Sequence, residues 1–211
     1  MGLETIESNK TYLTIVRGTL TQKVDENTPN AKLRKYEKSD GSEGEKWELQ
    51  YKSVSGVINS LDFKDSDFGE QFVIELKDVD ETYSLQFPVD SKYFSDFGKK
   101  VSNIHLDMEI VLRPFDFEPE GKRRTGISIM QEGVKIENYF WDNDNKKVLH
   151  GFPVPENKGE GFDNDDWKVY FIDVKKFLKK HVQGIVLPES YTPPFEPADD
   201  INEEDPDDLP F

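Results

Sequence analysis

The sequence predicts a mainly β fold, a small barrel followed by a C-terminal helix and a disordered acidic tail. Three observations carry this expectation. Between about residues 11 and 136, apolar residues recur every second position in several short runs, the period of a half-buried strand. Near residues 166–182 the period changes to that of a helix. After Pro188 the composition turns to Pro, Asp and Glu, which bury too little apolar surface to repay ordering. With 35% hydrophobic and 33% charged residues in 211, the folded body must be smaller than the chain. Its 15 Phe, 8 Tyr and 3 Trp nevertheless supply enough bulk for a real core.

In chain order, "TYLTIVRGTLTQKV" alternates β-branched and polar residues and runs into the turn chemistry of "DENTPN", an N-terminal hairpin arm. "EKWELQYKSVSGVINSLDF" reads as one long strand with Gly56 as a bulge or bend. "QFVIELKD" and "TYSLQFPV" put Phe72, Ile74, Leu76 and Tyr83, Leu85, Phe87 on one face, joined by the short turn "DVDE". In "DSKYFSDFGKKVSNI", Asp90 or Ser91 can cap a helix whose apolar residues are Tyr93, Phe94, Phe97 and Val101. "HLDMEIVLRPFDF" and "TGISIMQEGVKIE" return to strand character around the loop "EPEGKRR". Strand, strand, strand, helix, strand, strand is the order of a five-stranded OB-fold barrel, and a small β-barrel of another topology would give the same reading. Residues 138–166 read as loop, and "DDWKVYFIDVKKFLKKHV" as a helix capped by Asp165 or Asp166. The expected organisation is therefore a domain over 1–188, with its last helix at about 166–182, and a disordered tail over 189–211.

There is no cysteine, so disulfides, thiolate metal sites and thiol nucleophiles are excluded. His105, His150 and His181 show no ligand spacing. No apolar run reaches membrane-spanning length and "MGLETIESNK" lacks the core of a signal peptide, which points to the cytoplasm and to no membrane partner. The net charge of −16 is unevenly spread. Nine of the acidic residues lie from Glu189 onward with no Lys or Arg among them, which leaves −7 for the body. That body holds basic clusters at "KLRKYEK", "GKRRTG" and "DVKKFLKKH". The last of these has a plain account, since lysines late in a helix complement its dipole.

The chain closes on "NEEDPDDLPF", where acidic residues precede an apolar tip. "DDLPF" resembles the acidic C-terminal tip of bacterial single-stranded DNA-binding proteins, and the whole pattern is similar to the phage-encoded members of that class. The resemblance covers about ten residues. It implies that Phe211 inserts its ring into an apolar pocket of a partner, with Leu209 and Pro210 in contact and Asp205, Asp207 and Asp208 steering the segment to a basic surface. The implied partners are replication, recombination and repair proteins of polymerase, helicase or primase type. In the host bacterial cytoplasm the protein would coat single strands and recruit those enzymes. The same polyanionic segment can occupy a basic groove until DNA displaces it.

Sequence-independent binding of a single strand needs cations for phosphates and aromatic faces for bases. The alternating aromatics of the two hairpin strands belong to the core. The candidates are Lys32, Arg34, Lys35 and Tyr36 in the first cluster, Trp47 and Tyr51 on one strand face, and Arg113, Phe115, Lys122, Arg123 and Arg124 around the last loop. No catalytic residue, metal ligand or cofactor is expected. "DSDFGEQFVIELKD", with Asp65, Asp67, Glu75 and Lys77, only loosely resembles a metal-dependent nuclease pattern. The alternative reading is an acidic protein-interaction module or nucleic-acid mimic, which would carry exposed carboxylates across the folded body and no basic groove.

Overall fold

The computed structural model describes residues 10–38, 41–79, 81–155 and 161–188. Strand β1 (Lys10–Val16) returns as β2 (Thr19–Val24) through Arg17 and Gly18, whose φ angles are 47° and 76°. That is the two-residue hairpin geometry whose twist matches its strands. A second hairpin, β3 (Lys32–Glu37) and β4 (Glu43–Tyr51), follows, and the long strand β5 (Val54–Lys64) is separate from β4. Strands β6 (Gln71–Lys77) and β7 (Thr82–Pro88) form the expected hairpin. Helix α1 (Lys92–Gly98) has Ser91 as its N-cap, the hydroxyl accepting from the Phe94 amide. Then come β8 (Ile110–Phe117), β9 (Arg124–Gln131) and the short β10 (Val134–Lys135). The segment read as loop holds a small hairpin, β11 (Trp141–Asp142) and β12 (Lys147–Val148). Helix α2 runs over Asn164–Gln183 and is capped by Asp163, not by the two aspartates that follow it; Asp166 completes the capping box from inside the first turn.

The mainly β class and the C-terminal helix stand; the five-stranded barrel does not. Ten strands form one open sheet in the order β10-β9-β8-β5-β6-β7-β1-β2-β4-β3. Closing β5 to β9 into a barrel would require β7 and β9 to pair with each other. Instead β1 pairs in parallel along β7, with Leu13 opposite Leu85, and β10 pairs with β9. The N-terminal hairpin is thus an integral part of the sheet, and it carries β4 and β3 outward as a three-stranded extension with β2. The tail over 189–211 lies outside the described residues.

Strand β5 turns the sheet. Its first residues pair with β8 (Val54 with Leu112, Gly56 with Ile110) and the remainder with β6, with a register shift between Ile58 and Ser60. Gly56 sits at φ 152°, where an added Cβ would lie 2.9 Å from the Lys77 carbonyl oxygen. The bend expected at this glycine is therefore a close backbone crossing. Gly56→Ala is expected to destabilise the fold by at least about 1 kcal/mol, read as a lower urea midpoint at unchanged slope.

One sheet face is the core. Phe72, Ile74, Leu76, Leu85 and Phe87 are buried, and the Phe72 ring lies 5.0–5.6 Å from the rings of Phe63, Phe87, Phe94 and Phe97. Tyr93, Phe94 and Phe97 of α1 cover this face, and α2 adds Val174, Leu178 and Val182. Asp96 and Lys100 fasten α1 to β9: Asp96 accepts from the Ile127 amide at 2.8 Å, Lys100 donates to the Ile127 carbonyl at 2.6 Å, and the two side chains pair at 2.8 Å.

The end of α2 is held by an aromatic cluster. His181 Nε2 lies 2.7 Å from Ser102 Oγ, and Tyr139 stacks on His150 at 4.0 Å and on His181 at 6.0 Å. Burial, aided by His150, holds the His181 imidazole below its ordinary value. A depressed histidine contributes stability that is complete above its unfolded value near 6.5 and is lost as the pH falls through its folded value. The melting temperature is therefore expected to fall between pH 7.5 and 5.5. His181→Asn should melt lower at pH 7.5 and show a flatter dependence over that range.

Candidate functional site

A groove of about 830 Å³ lies between α1, the middle of α2 and the ends of β8 and β9. Along α1 and its C-cap, Lys92, Asp96 and Lys99 are spaced i, i+4 and i+7, which sets them on the groove side while Tyr93, Phe94 and Phe97 face the core. Arg123 and Arg124 arrive from the start of β9, and Phe115 from β8. Helix α2 supplies Tyr170, Phe171 and Lys175.

The cations divide into two sets. Lys175 pairs with Asp90 at 2.6 Å, and Arg123 grips Asp116 through Nη2 at 2.6 Å and Nε at 2.8 Å. Arg123 is pushed upward by that hydrogen bond, and the same bond holds the Asp116 carboxyl below its usual range. Among the described residues, Lys92, Lys99 and Arg124 have no carboxylate within ion-pair distance. Lys92 lies 5.0 Å over the Phe171 ring and Lys99 5.6 Å over Phe152. Burial holds Lys99 below the ordinary lysine value; Asp96 opposes this and the charges of Lys92 and Lys100 reinforce it. In a chain with 43 acidic residues, three uncompensated cations around one groove form a site that an incoming anion would stabilise.

The aromatic surface continues along the β8–β9 hairpin. Register places Arg113, Phe115 and Phe117 opposite Ser128, Gly126 and Arg124, so all six share one face. Phe115 lies against Gly126, where a Cβ would come within 2.7 Å of its ring, and Phe117 stands 5.6 Å from Phe115, half exposed. The β1–β2 turn packs against the β8 backbone at Asp116: the Gly18 amide donates to the Tyr93 hydroxyl at 3.0 Å, and a Cβ at Gly18 would collide with the Asp116 nitrogen. Lys122 is exposed in the connecting turn.

No protein-family model, curated protein or solved structure matches the chain.

The other two sequence clusters occupy the β3–β4 hairpin, at the opposite end of the strand order from β9. Arg34 is bound to the buried Glu48, with Nη2–Oε1 at 2.7 Å and Nε–Oε2 at 2.8 Å, so its charge is neutralised within the sheet. Lys35 pairs with Glu45 at 3.2 Å, and Lys32 donates to Gln50 at 3.2 Å. Tyr36 lies over Gly44, with the Arg34 guanidinium 5.2 Å and the Lys46 amine 5.0 Å from its ring centre. Trp47 and Tyr51 share a strand face, as their spacing requires. It is the opposite face from Tyr36, and there the Tyr51 hydroxyl donates to Gln22 at 2.7 Å. The three sequence clusters thus do not share one surface: two lie on opposite faces of the β3–β4 hairpin and the third on the β8–β9 hairpin.

Sequence reasoning missed Lys92, Lys99 and Phe171. The i, i+4, i+7 spacing along α1 and its C-cap was a readable signal for the two lysines, whereas nothing local shows that Phe171 turns toward α1. In the acidic segment with Asp65 and Asp67, Glu75 is ion-paired with Lys10, and that bond holds its carboxyl low. Among the described residues, no three His, Asp or Glu side chains are grouped to hold a metal ion, and no helix is long and apolar enough to cross a membrane. Asp205, Asp207, Asp208, Leu209, Pro210 and Phe211 lie outside the described residues.

Proposed function

We propose that the protein binds single-stranded DNA without sequence preference, acting in replication, recombination and repair, and that the groove between α1, α2 and the β8–β9 hairpin receives the strand. The observation that carries this reading is the set of unpaired cations Lys92, Lys99 and Arg124 beside the rings of Phe115, Tyr170 and Phe171. Phosphates would meet the cations, releasing counterions, and bases would stack on the rings. Stacking is indifferent to base identity because every base has a π face. A duplex keeps its bases stacked inside and offers only phosphates to such a surface. The resemblance of "DDLPF" to the tip of single-stranded DNA-binding proteins supports a second role, recruitment of replication and repair enzymes through Asp205 to Phe211.

A fluorescence titration tests this with oligo-dT and a duplex of equal length, using the full chain and a chain cut after Glu204. The expected result is a salt-sensitive preference for the single strand, tighter in the shortened chain because a competing polyanion has been removed. Equal affinity of the two chains would leave the acidic segment as a partner tether alone. Absence of binding by both would overturn the DNA reading and favour an acidic interaction module.

A further inference from the structure

Helix α2 is held to the body by one face. Val174, Leu178 and Val182 are buried, whereas Asp165, Val169, Ile172 and Lys176 lie along the far side and are exposed, Val169 at 59% and Ile172 at 44%. Steps of four, three and four residues are those of a coiled-coil seam. Aspartates in the first turn and lysines farther along complement the helix dipole. The dipole does not account for two β-branched side chains left in water at the middle of that seam.

The seam is complementary to itself when read backwards. A two-fold axis between Tyr170 and Phe171 sets Asp165 of one helix against Lys176 of the other, and Val169 against Ile172. The symmetry repeats each pair, giving two apolar layers flanked by two ion pairs. Within its own helix Asp165 meets Lys168 at 2.8 Å, an exposed contact that contributes little and exchanges readily. In antiparallel helices each layer joins the two different seam positions, as this register does. A parallel arrangement would oppose Asp165 to Asp165 and Lys176 to Lys176, which the seam itself disfavours. We infer that α2 is a homodimer interface, pairing antiparallel with α2 of a second copy of this chain. The contact is isologous and closed, so it stops at two copies. It spans about three helical turns, at the small end of specific interfaces, and the dimer is therefore concentration-dependent. Ile172 also borders the groove, whereas Phe171 and Lys175 lie toward it on the adjoining face. The inference is independent of what the groove binds.

Sedimentation equilibrium of the full chain at 0.15 M salt tests it. The apparent mass is expected to rise from the 24.4 kDa of one chain toward twice that value as concentration increases. Asp165→Lys and Lys176→Asp each place like charges in both ion-pair positions, and each variant alone is expected to stay monomeric. Mixed together they are expected to dimerise. The lysine introduced in one chain then meets the aspartate introduced in the other, and the unaltered Lys176 and Asp165 form the remaining pair. The double variant in a single chain should also recover self-association. Rescue on mixing separates a lost contact from a merely weakened helix. A wild-type chain that remains monomeric at all concentrations overturns the inference. So does a dimer that survives the single substitutions, or a failure of the mixture to associate.

Discussion

Replacing Lys92, Lys99 and Arg124 together by alanine is expected to weaken oligo-dT binding by roughly a hundredfold at 0.15 M salt. The figure assumes about 1 kcal/mol for each lost charge-assisted contact, and about 1.4 kcal/mol is tenfold in affinity. The salt dependence is more diagnostic than the affinity. Single strands lose about 0.7 in the log–log slope per neutralised phosphate, so removing three contacts should flatten that slope by about 2. Folding should be little affected, because among the described residues these cations hold no carboxylate partner. Removing the Lys99 amine also relieves the desolvation that depresses it. Unchanged affinity in a variant that melts normally would move the strand to the other basic surface. There Lys46 and Tyr36 on the β3–β4 hairpin would be the next substitutions.

The largest loss of stability is expected from Phe72→Ala, about 3–5 kcal/mol, measured by urea unfolding. The ring is fully buried and touches aromatic neighbours from β5, β7 and α1. Truncation therefore opens a cavity where strands and helix meet, and several tilted or edge-on ring contacts disappear together. Against a typical total of about 5–15 kcal/mol, this leaves a marginal fold. Phe171→Ala makes the contrast. Phe171 is half exposed, at 52%, so its loss should cost little stability but lower single-strand affinity by the roughly 1–3 kcal/mol of a base stack. A large stability loss at Phe171, or none at Phe72, would contradict the division between core rings and groove rings.

Features set by near neighbours were legible in the sequence. The alternation in "QFVIELKD" and "TYSLQFPV" assigns its aromatics to the core because side chains on a strand point to opposite faces in strict turn. The helix cap, narrowed to Asp90 or Ser91 and found at Ser91, and the special backbone at Gly56 follow from residue chemistry within a few positions. Long-range pairing was not legible. "TYLTIVRGTL" announces a strand and a turn, yet nothing in it says that β1 will pair in parallel with β7, about 70 residues later, and so keep the sheet open. Parallel pairing leaves no turn signature, and it is decided by which hydrophobic faces meet. The same limit governed Arg34: the cluster "KLRKYEK" shows a cation, and only the register of β3 on β4 shows that Glu48 has claimed it.

By itself the sequence determined the strand periods, the helix at the end of the described chain, the uneven charge and the tail's resemblance, since each depends on neighbours in the chain. Only the tertiary structure decided the open ten-stranded sheet, the separation of the sequence clusters onto different surfaces, and the groove that joins Lys92 and Lys99 to Arg124 and Phe171. Those residues come from three separate elements, and free cations are recognised only once the partners of every other charge are known.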